Sequence, residues 1–427
     1  RAALPAPTAW RNWSGSLAAT PRARVAPADE AELARFLATT SGPLRPVGSG
    51  HSFAPLVPTG GDLVAIDRIA GLAAVDERNL RARVRAGTRL ADLGPLLARA
   101  GQASENLPDI DRQTLAGALA TATHGTGAFP SLSGRVEALR LVTARGEPRE
   151  IDRSEPDLLA AAAASLGALG IVTEATVANV APFRLRARER IEKLDVLLAE
   201  FDARVRDHRH FEFFPLPHCD WAIALALDEA PADAPTHNPP PTPEEDAALR
   251  DALELLLATP MIARRPLANE IAQAIEPSEA VDASHAILCN IRNTRFNEME
   301  YSVPADVGMA CVREIMDTIA EGIDVSFPLE VRYVAGEDTW LAMSEGGPRV
   351  SISIHDFAER DFRPCFDRIE PIFARYGGRP HWGKVHGLAA GALRELYPRF
   401  DDFRRIRADL DPTGRFLNDH LRTILDA

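Results

Sequence analysis

The sequence predicts an α+β protein with two domains, from three observations on chain length, segment order and local composition. The chain has 427 residues, more than a single ordinary hydrophobic core contains. Up to residue 181, short strand-like and helix-like segments alternate irregularly, unlike the regular β-α-β order of a doubly wound sheet. Beyond Pro182, aromatic strands and a proline-rich stretch change the character of the chain, so we place a domain boundary there.

Hydrophobic periodicity and turn residues place the elements of the first 181 residues. Asp29 followed by Glu32 forms a capping box, which predicts a helix start. The same patterns predict strands over residues 44–47, 63–67, 80–86 and 171–180, helices over 90–100 and 158–166, and a hairpin over 136–151 that turns at Gly146.

The acidic, proline-rich stretch over residues 228–246 stands apart from these elements. Its prolines remove backbone donors and fix φ, so neither a helix nor a central strand is expected there. We predict a loop without a chemical role.

Charge and composition exclude several classes of function. The net charge of −13 argues against a nucleic-acid partner, which requires a basic face. No uncharged apolar stretch approaches the roughly 20 residues that a transmembrane helix needs. Residues 1–21 lack the apolar core of a secretory signal, so we expect a cytoplasmic protein.

Cysteine and histidine spacing gives no sign of a metal site. No cysteine pair has C-x-x-C spacing, and the eleven histidines include no H-E-x-x-H. We therefore expect no bound metal, and free thiols in a reducing compartment. The cysteines are Cys219, Cys289, Cys311 and Cys365.

The most informative motif is the run Val47-Gly48-Ser49-Gly50-His51-Ser52. Two glycines one residue apart allow a tight turn whose N–H groups can approach a pyrophosphate. The imidazole of His51 follows on the same loop. A nucleophilic side chain beside a dinucleotide site is what covalent attachment of a flavin would require. The alternative is a glycine turn beside a chance histidine. The third glycine of a Rossmann fingerprint is missing, so a nicotinamide-binding domain fits poorly.

A second motif spans residues 114–127, where small residues and threonines dominate. Such a backbone can lie against a flat cofactor, and its hydroxyl and N–H groups can bind phosphate or ring heteroatoms. A close-packed helix start followed by a glycine turn is the alternative.

Two later motifs carry charges that suit a substrate site. Glu330 and Arg332 face the same side if residues 328–334 form a strand, and a buried pair would then serve a site. A surface ion pair is the alternative. His381-Trp382-Gly383-Lys384 predicts a rigid loop that presents Lys384 as a cation or, if desolvated, a base.

Taken together and in this order, the four motifs resemble those of the sugar-lactone and alditol oxidases, a branch of the vanillyl-alcohol-oxidase-like flavoproteins. The resemblance runs from about Trp13 to Leu425. It implies a PCMH-type FAD-binding domain over residues 10–181, an α+β substrate (cap) domain over residues 182–405, and a C-terminal segment, 406–427, that returns to the FAD domain.

The resemblance also implies the site residues. FAD would be attached covalently through His51, although some relatives hold flavin without that bond. Substrate would meet Glu330, Arg332, Lys384 and His355, with Glu330 orienting Arg332 and Lys384 facing the reacting hydroxyl as base or donor. The residues expected to line FAD are Val47, Gly48, Ser49, Gly50, His51, Ser52, Pro108, Asp109, Thr114, Gly117, Thr121, Thr123, His124, Gly125, Ile171 and Asn418.

The function implied is oxidation of an aldono-1,4-lactone of the L-gulono or D-arabinono type, with oxygen or another electron acceptor. An alditol (polyol) oxidase that makes hydrogen peroxide is the alternative. His355 falls where alditol oxidases tend to have threonine, and residues 106–110 also depart from their pattern. Pro108 leaves oxygen reactivity open, and we prefer an oxidase. Further alternatives are an NADPH-using reductase of cell-wall precursor synthesis and a non-enzymatic flavin- or sugar-binding protein.

Overall fold

The computed structural model of the protein describes residues 9–290 and 293–426. Over these residues, strands and helices mix along the whole chain, which confirms the predicted α+β class. The strands are β1 (Trp10–Arg11), β2 (Ala18–Ala19), β3 (Ala23–Val25), β4 (Leu44–Val47), β5 (Asp62–Ala65), β6 (Leu72–Asp76), β7 (Arg81–Arg85), β8 (Val136–Val142), β9 (Pro148–Asp152), β10 (Ile171–Ala178), β11 (Arg184–Lys193), β12 (His210–Pro215), β13 (Trp221–Ala230), β14 (Ser278–Ala283), β15 (Phe296–Pro304), β16 (Glu330–Val334), β17 (Arg349–Phe357) and β18 (Arg379–Pro380). The helices are α1 (Glu30–Thr39), α2 (Leu90–Arg99), α3 (Leu115–Ala120), α4 (Pro156–Ala162), α5 (Leu194–Asp207), α6 (Pro243–Ala258), α7 (Met261–Gln273), α8 (Ser284–Leu288), α9 (Gly308–Ala320), α10 (Arg363–Arg375), α11 (Ala390–Leu396), α12 (Phe400–Leu410) and α13 (Asp419–Leu425).

The N-terminal half contains two small sheets. In the first, β5 lies between β3 and β4 with all strands parallel. In the second, the described strands follow the antiparallel order β6-β7-β10-β8-β9. Strand β4 ends at Val47, as predicted, so the glycine loop leaves the end of a buried strand. The hairpin of β8 and β9 turns at Gly146, whose φ of +80° suits glycine.

The second half is built on one antiparallel sheet with the described order β14-β11-β13-β12-β16-β17-β15-β18. Alternate residues of its strands, such as Met299 and Val331, pack with Ile315 of α9 and Phe373 of α10 in one buried cluster. Because side chains alternate across a strand, the neighbouring residues of β15 and β16 point to the opposite face, toward the N-terminal half.

The C-terminal helices pack back onto the N-terminal half. Leu421 and Leu425 of α13 share a buried cluster with Leu93 of α2 and Leu139 of β8. The buried guanidinium of Arg45 ties the two ends of the chain together, donating to the carbonyl of Phe416 at 2.5 Å. The predicted domain boundaries stay predictions.

Helix α1 begins as its sequence predicts. The Asp29 carboxylate accepts the Glu32 N–H at 2.8 Å, and Glu32 reaches back to the N–H of Ala28 at 2.7 Å. The prediction for residues 228–246 is wrong at both ends of that stretch. Its first residues complete β13, and its last ones open α6. Pro243 sits in the first helical turn, where its missing N–H has no helical partner to lose, and Thr242 with Glu245 forms a capping box.

No helix among the described residues combines the length and apolar character needed to cross a bilayer. The four cysteines are free thiols, and Cys219, Cys311 and Cys365 are buried.

We predict that Asn418→Ala destabilises the protein by about 3 kcal/mol. The Asn418 Oδ1 caps α13 by accepting the Leu421 N–H, and its amide donates to the carbonyls of Pro55 and Pro58, both at 2.9 Å. Loss of a helix cap, together with two carbonyl groups left without a donor, lowers the free energy of unfolding by an amount of this order. Thermal unfolding measures it, with Thr423→Ala on the exposed side of α13 as control. Unchanged stability with weakened FAD binding would instead support the cofactor contact predicted for Asn418.

Candidate active site

A cleft in the N-terminal half joins the motifs predicted to hold the cofactor. It encloses about 1220 Å³ of empty space, open solvent included. Four stretches line it: the glycine loop with its flanks, the start of α3, residues 162–172, and the loop after β18. The predicted cofactor residues among its walls are Val47, Gly48, Ser49, Gly50, His51, Ser52, Thr114, Gly117, Thr121 and Ile171.

The two small-residue motifs lie directly against each other. A Cβ on Gly48 would lie 2.2 Å from the hydroxyl oxygen of Thr114, so only glycine allows this approach. Thr114 in turn caps α3 by accepting the Gly117 N–H at 3.3 Å. The residue at position 48 is therefore fixed by the packing of the two motifs.

The cleft offers polar groups that the protein leaves unused. The Ser49 hydroxyl and the side-chain amide oxygen (Oε1) of Gln113 are buried and have no partner among the described residues. Among the described residues, the half-buried backbone at Gly50, His51 and Ser52 donates no N–H to another backbone carbonyl. Unpaired buried donors and acceptors are costly. They fit a dinucleotide with phosphate and hydroxyl groups, so the residues present suit FAD.

His51 is held as a neutral ring on the cleft wall. Its ring stacks on Trp13 with centroids 5.5 Å apart. Burial, followed by the positive charges of Lys384, Arg112 and Arg89, lowers the pKa of His51 to about 4. A neutral imidazole at pH 7 retains the lone pair that a nucleophile needs.

Behind the cleft, a buried carboxylate organises the second set of motifs. Glu300 of β15 is 1% exposed and accepts hydrogen bonds from His124 Nε2 at 2.8 Å and the Ser351 hydroxyl at 2.5 Å. Arg332 Nη2 lies 3.3 Å from the same carboxylate. Burial opposes ionisation, but Arg332 and His124 outweigh it and hold the pKa of Glu300 well below its usual range.

Lys384 connects the cofactor cleft with this network. It lines the cleft, forms an ion pair with Glu298, and has its Nζ 3.7 Å from Glu300. Burial raises the pKa of Glu298, yet Lys384 and His355 outweigh burial and lower it to about 2. Glu298 therefore stays ionised at neutral pH and fixes the ammonium group.

Glu330 and Arg332 form the predicted pair on one face of β16, 3.1 Å apart and both buried. Burial raises the pKa of Glu330, and Arg332 opposes the rise only in part. For Arg332, burial lowers the pKa but the surrounding carboxylates raise it above its ordinary value. Glu330 Oε1 and Arg332 Nε lack partners among the described residues, so both can still bind a ligand.

Other predicted residues lie around these two groups. His355 Nε2 lies 3.6 Å from Glu298, the carboxylate that pairs with Lys384. Pro108 and Asp109 immediately precede Ile110, which lines the cleft. Thr123, His124 and Gly125 follow α3 and lead from the cleft to Glu300. Asn418 is not among the lining residues described for the cleft. The predicted roles of all these residues stay predictions.

Sequence reasoning missed Glu298 and Glu300, although the signal was present. They alternate with Met299 and Tyr301 on β15, so both acids face one side of a buried strand, as Glu330 and Arg332 do on β16. A second missed signal is that Lys384 is one of two lysines among the 48 basic residues. The other, Lys193, lies over the ring of Trp221.

Two groups here have the spacing of metal ligands: His124, Glu300 and His381, and Glu298, Glu330 and His355. Arg332 and Lys384 already neutralise the carboxylates in both groups. A divalent cation would have to compete with these fixed charges. The expectation of no metal stays a prediction.

Comparison with known families agrees with this arrangement. The family model described as FAD binding domain matches residues 21–152. The protein is an FAD-dependent oxidoreductase. The family model described as D-arabinono-1,4-lactone oxidase matches residues 175–424, more than half of the chain. The chain belongs to this family, which confirms the resemblance drawn from the four motifs.

Individual relatives match along almost the whole length. The chain is 36% identical over 430 residues to the L-gulono-1,4-lactone dehydrogenase of Mycobacterium tuberculosis, covering 97% of this chain and 99% of that protein. It is 29% identical to the alditol oxidase of a Streptomyces species, covering 98% and 99%. The structure of cholesterol oxidase from Brevibacterium sterolicum superposes with a TM-score of 0.80 at 17% identity over 100% of both chains, so it has the same fold.

We predict that the protein loses stability as the pH falls from 6.5 toward 4. Burial lowers the pKa of His381 to about 3, and repulsion from Lys384 adds to this effect while attraction to Glu300 opposes it. The unfolded chain therefore takes up a proton near pH 6.5 that the folded state refuses, so stability present above pH 6.5 is lost on acidification. Glu330 has the opposite effect on stability. Its pKa is raised in the folded state, so as the pH rises the unfolded chain loses this proton more readily, and stability falls.

Urea midpoints at pH 4.5, 5.5, 6.5 and 7.5 measure this loss. His381→Gln removes one such proton uptake, while His51 and His386 keep theirs, so its midpoint should vary less with pH than that of the wild type but retain a residual slope. His237→Gln, on an exposed loop, should retain the wild-type slope. Equal slopes in all three proteins would show that His381 is not held neutral by the fold.

Proposed function

We propose that the protein oxidises an aldono-1,4-lactone of the L-gulono or D-arabinono type, with molecular oxygen as electron acceptor. One observation carries the proposal: Lys384 belongs both to the cofactor cleft and to the ion-pair network around Glu300 and Arg332. A substrate bound at the free atoms of Glu330 and Arg332 would thus lie beside the cation that faces the cofactor. The relative named L-gulono-1,4-lactone dehydrogenase supports a lactone, and relatives named oxidases support oxygen.

We propose that the cleft of residues 47–52, 114–121 and 171 holds FAD, with the pyrophosphate at the unused donors of the glycine loop. Bound FAD supplies a ring that accepts a hydride from a carbinol carbon. The FAD-binding domain would comprise residues 10–181, the substrate domain residues 182–405, and the last segment residues 406–427.

Lys384 has the central chemical role in this proposal. Its ammonium is held by Glu298, and in this proposal it contacts the hydroxyl that loses its proton. To take up that proton the side chain must first give up one of its own and become a neutral amine, which a lysine can do and a guanidinium, which stays charged in proteins, cannot. In a chain that otherwise uses arginine almost throughout, a lysine at this position favours proton transfer over simple charge.

Glu330 and Arg332 are proposed to orient the substrate. Glu330 Oε1 has no partner among the described residues and can bind a sugar hydroxyl. Arg332 is fixed by Glu330 and Glu300, so its remaining donor is presented without loss of side-chain entropy. Arg332 and Lys384 would stabilise negative charge that develops beside them in a dry site, while Glu330 orients Arg332.

The test is reduction of the bound flavin under anaerobic conditions. We expect L-gulono-1,4-lactone or D-arabinono-1,4-lactone to bleach the absorbance near 450 nm faster than any open-chain alditol, and air to restore it. Faster bleaching by xylitol or sorbitol would favour the alditol oxidase, whose full-length match is the specific observation for it. Bleaching by NADPH alone, or by none of these compounds, would contradict the proposal.

We predict that Lys384→Met lowers turnover of the lactone by about 100-fold or more, the usual effect of losing an acid–base contact. Lys384→Arg keeps the charge, so its turnover separates proton transfer from electrostatics. We expect it to remain near the level of Lys384→Met. Lys193→Met, the only other lysine substitution possible in this chain, should leave turnover unchanged. Near-normal turnover of Lys384→Met would remove Lys384 from the mechanism.

We propose that the flavin is attached covalently to His51, since a neutral imidazole lines the cleft. Wild-type protein precipitated with acid should then retain its yellow colour and fluoresce on a denaturing gel. His51→Ala should release all its flavin, and the exposed His237→Ala should behave like the wild type. Complete release from the wild type would show that the bond does not form.

A further inference from the structure

A second cleft lies between the two halves of the protein, behind the active-site network. It encloses about 910 Å³ of empty space, open solvent included. The N-terminal half contributes Ser16 and the chain after the glycine loop, and the C-terminal helix contributes His420. The substrate half contributes Asn297, Arg363 and His386. Clefts between domains are common places for small-molecule sites.

This cleft contains buried polar atoms without hydrogen-bond partners among the described residues, as do the cofactor cleft and the Glu330–Arg332 pair. Asn297 is 2% exposed, and its Oδ1 has no partner among the described residues. The Nε2 atoms of His386 and His420 are likewise buried and unpaired within the described chain. Such atoms are costly unless a ligand or water satisfies them. Their concentration in one cleft points to a bound polar molecule.

The protonation state of His386 determines whether the bound molecule must accept or donate a hydrogen bond there. The Leu388 N–H donates to His386 Nδ1 at 3.3 Å, so in the neutral ring the hydrogen is on Nε2. Burial lowers the pKa of His386 to about 3, with a further contribution from His420 when that ring is protonated, so the His386 ring is neutral at pH 7. His386 therefore donates into the cleft while Asn297 Oδ1 accepts. Hydroxyl groups satisfy both needs.

The rim of the cleft carries charges of both signs, including one cation that can meet an anion. Arg360 is neutralised by Asp356 at 2.9 Å and Asp324 at 3.0 Å. Asp361 Oδ1 accepts the N–H of Arg363 at 3.1 Å. The guanidinium of Arg363 has no carboxylate partner among the described residues, so it remains available at the rim.

We propose that this cleft binds a small polyhydroxylated carboxylate, with hydroxyl groups at Asn297 and His386 and the carboxylate at Arg363. Hydrolysis of a sugar lactone adds one water across the ester and gives a molecule of this class, a link that rests on the proposed function. The binding site itself rests only on the cleft. Its occupant would lie on the opposite face of β15 from Glu298, because Asn297 precedes Glu298 on that strand and side chains alternate.

Isothermal calorimetry on the oxidised, FAD-loaded protein tests the site without turnover. The probe is sodium gluconate, compared with sorbitol, which lacks the carboxylate, and propionate, which lacks the hydroxyls. We expect gluconate to bind with one site per chain and about tenfold more tightly than either partial probe, since each lacks one set of contacts. Absence of gluconate binding at 20 mM, or equal binding of sorbitol, would overturn the proposal.

Variants locate the site. Arg363→Gln on the surface should weaken gluconate binding about tenfold, and Arg368→Gln, exposed on the same helix, should not. Asn297→Leu should weaken it as well, and Arg363→Gln decides if that variant does not fold. Glu330→Gln should leave gluconate binding unchanged. Binding that is lost in Glu330→Gln but kept in Arg363→Gln would place gluconate in the substrate site and overturn the proposal. Because no oxidation is measured, failure of lactone oxidation does not affect this result.

Discussion

The rest of the site is arranged so that the buried carboxylate of Glu300 has hydrogen-bond donors and positive charges around it. A charge with 1% exposure is tolerated only when it is paired and hydrogen-bonded. His124 comes from the FAD-binding half, Ser351 and Arg332 come from the central strands of the substrate sheet, and Lys384 comes from the loop after β18. Compensating one carboxylate therefore brings four distant parts of the chain together.

This convergence also relates the cofactor cleft to the substrate strand. Lys384 and His381 belong to the cleft wall, and both stand near Glu300. His124 follows the small-residue motif that ends at the cleft. If the large antiparallel sheet moved relative to the N-terminal half, Glu300 would lose its hydrogen-bond and ion-pair partners. The ion-pair network thus ties the two halves together around Glu300.

Local patterns in the sequence predicted much of this structure. The strand that leads into the glycine loop ends at Val47, and the Asp29 side chain caps the start of α1, because both depend on neighbouring residues alone. The pair on β16 was predictable from alternation, and the same reasoning applies to Glu298 and Glu300. Those acids were overlooked because alternation gives the face of a strand but not the partner opposite it.

Features that depend on distant contacts were harder to predict. The proline-rich stretch was expected to form a loop throughout, but its ends join β13 and α6 because proline is compatible with a first helical turn. The contacts of Asn418 with the carbonyls after the glycine loop join residues some 360 positions apart, and no local signal specifies them. The second cleft similarly needs both halves in place.

The central claim is that Lys384, Glu330 and Arg332 face one bound substrate beside the cofactor. A crystal structure of the reduced, FAD-loaded protein soaked with L-gulono-1,4-lactone tests it most directly. We expect the lactone within hydrogen-bond distance of all three side chains, on the side of the flavin that faces β15 and β16. A lactone bound elsewhere, or a flavin outside the cleft formed by the glycine loop and α3, would contradict the claim.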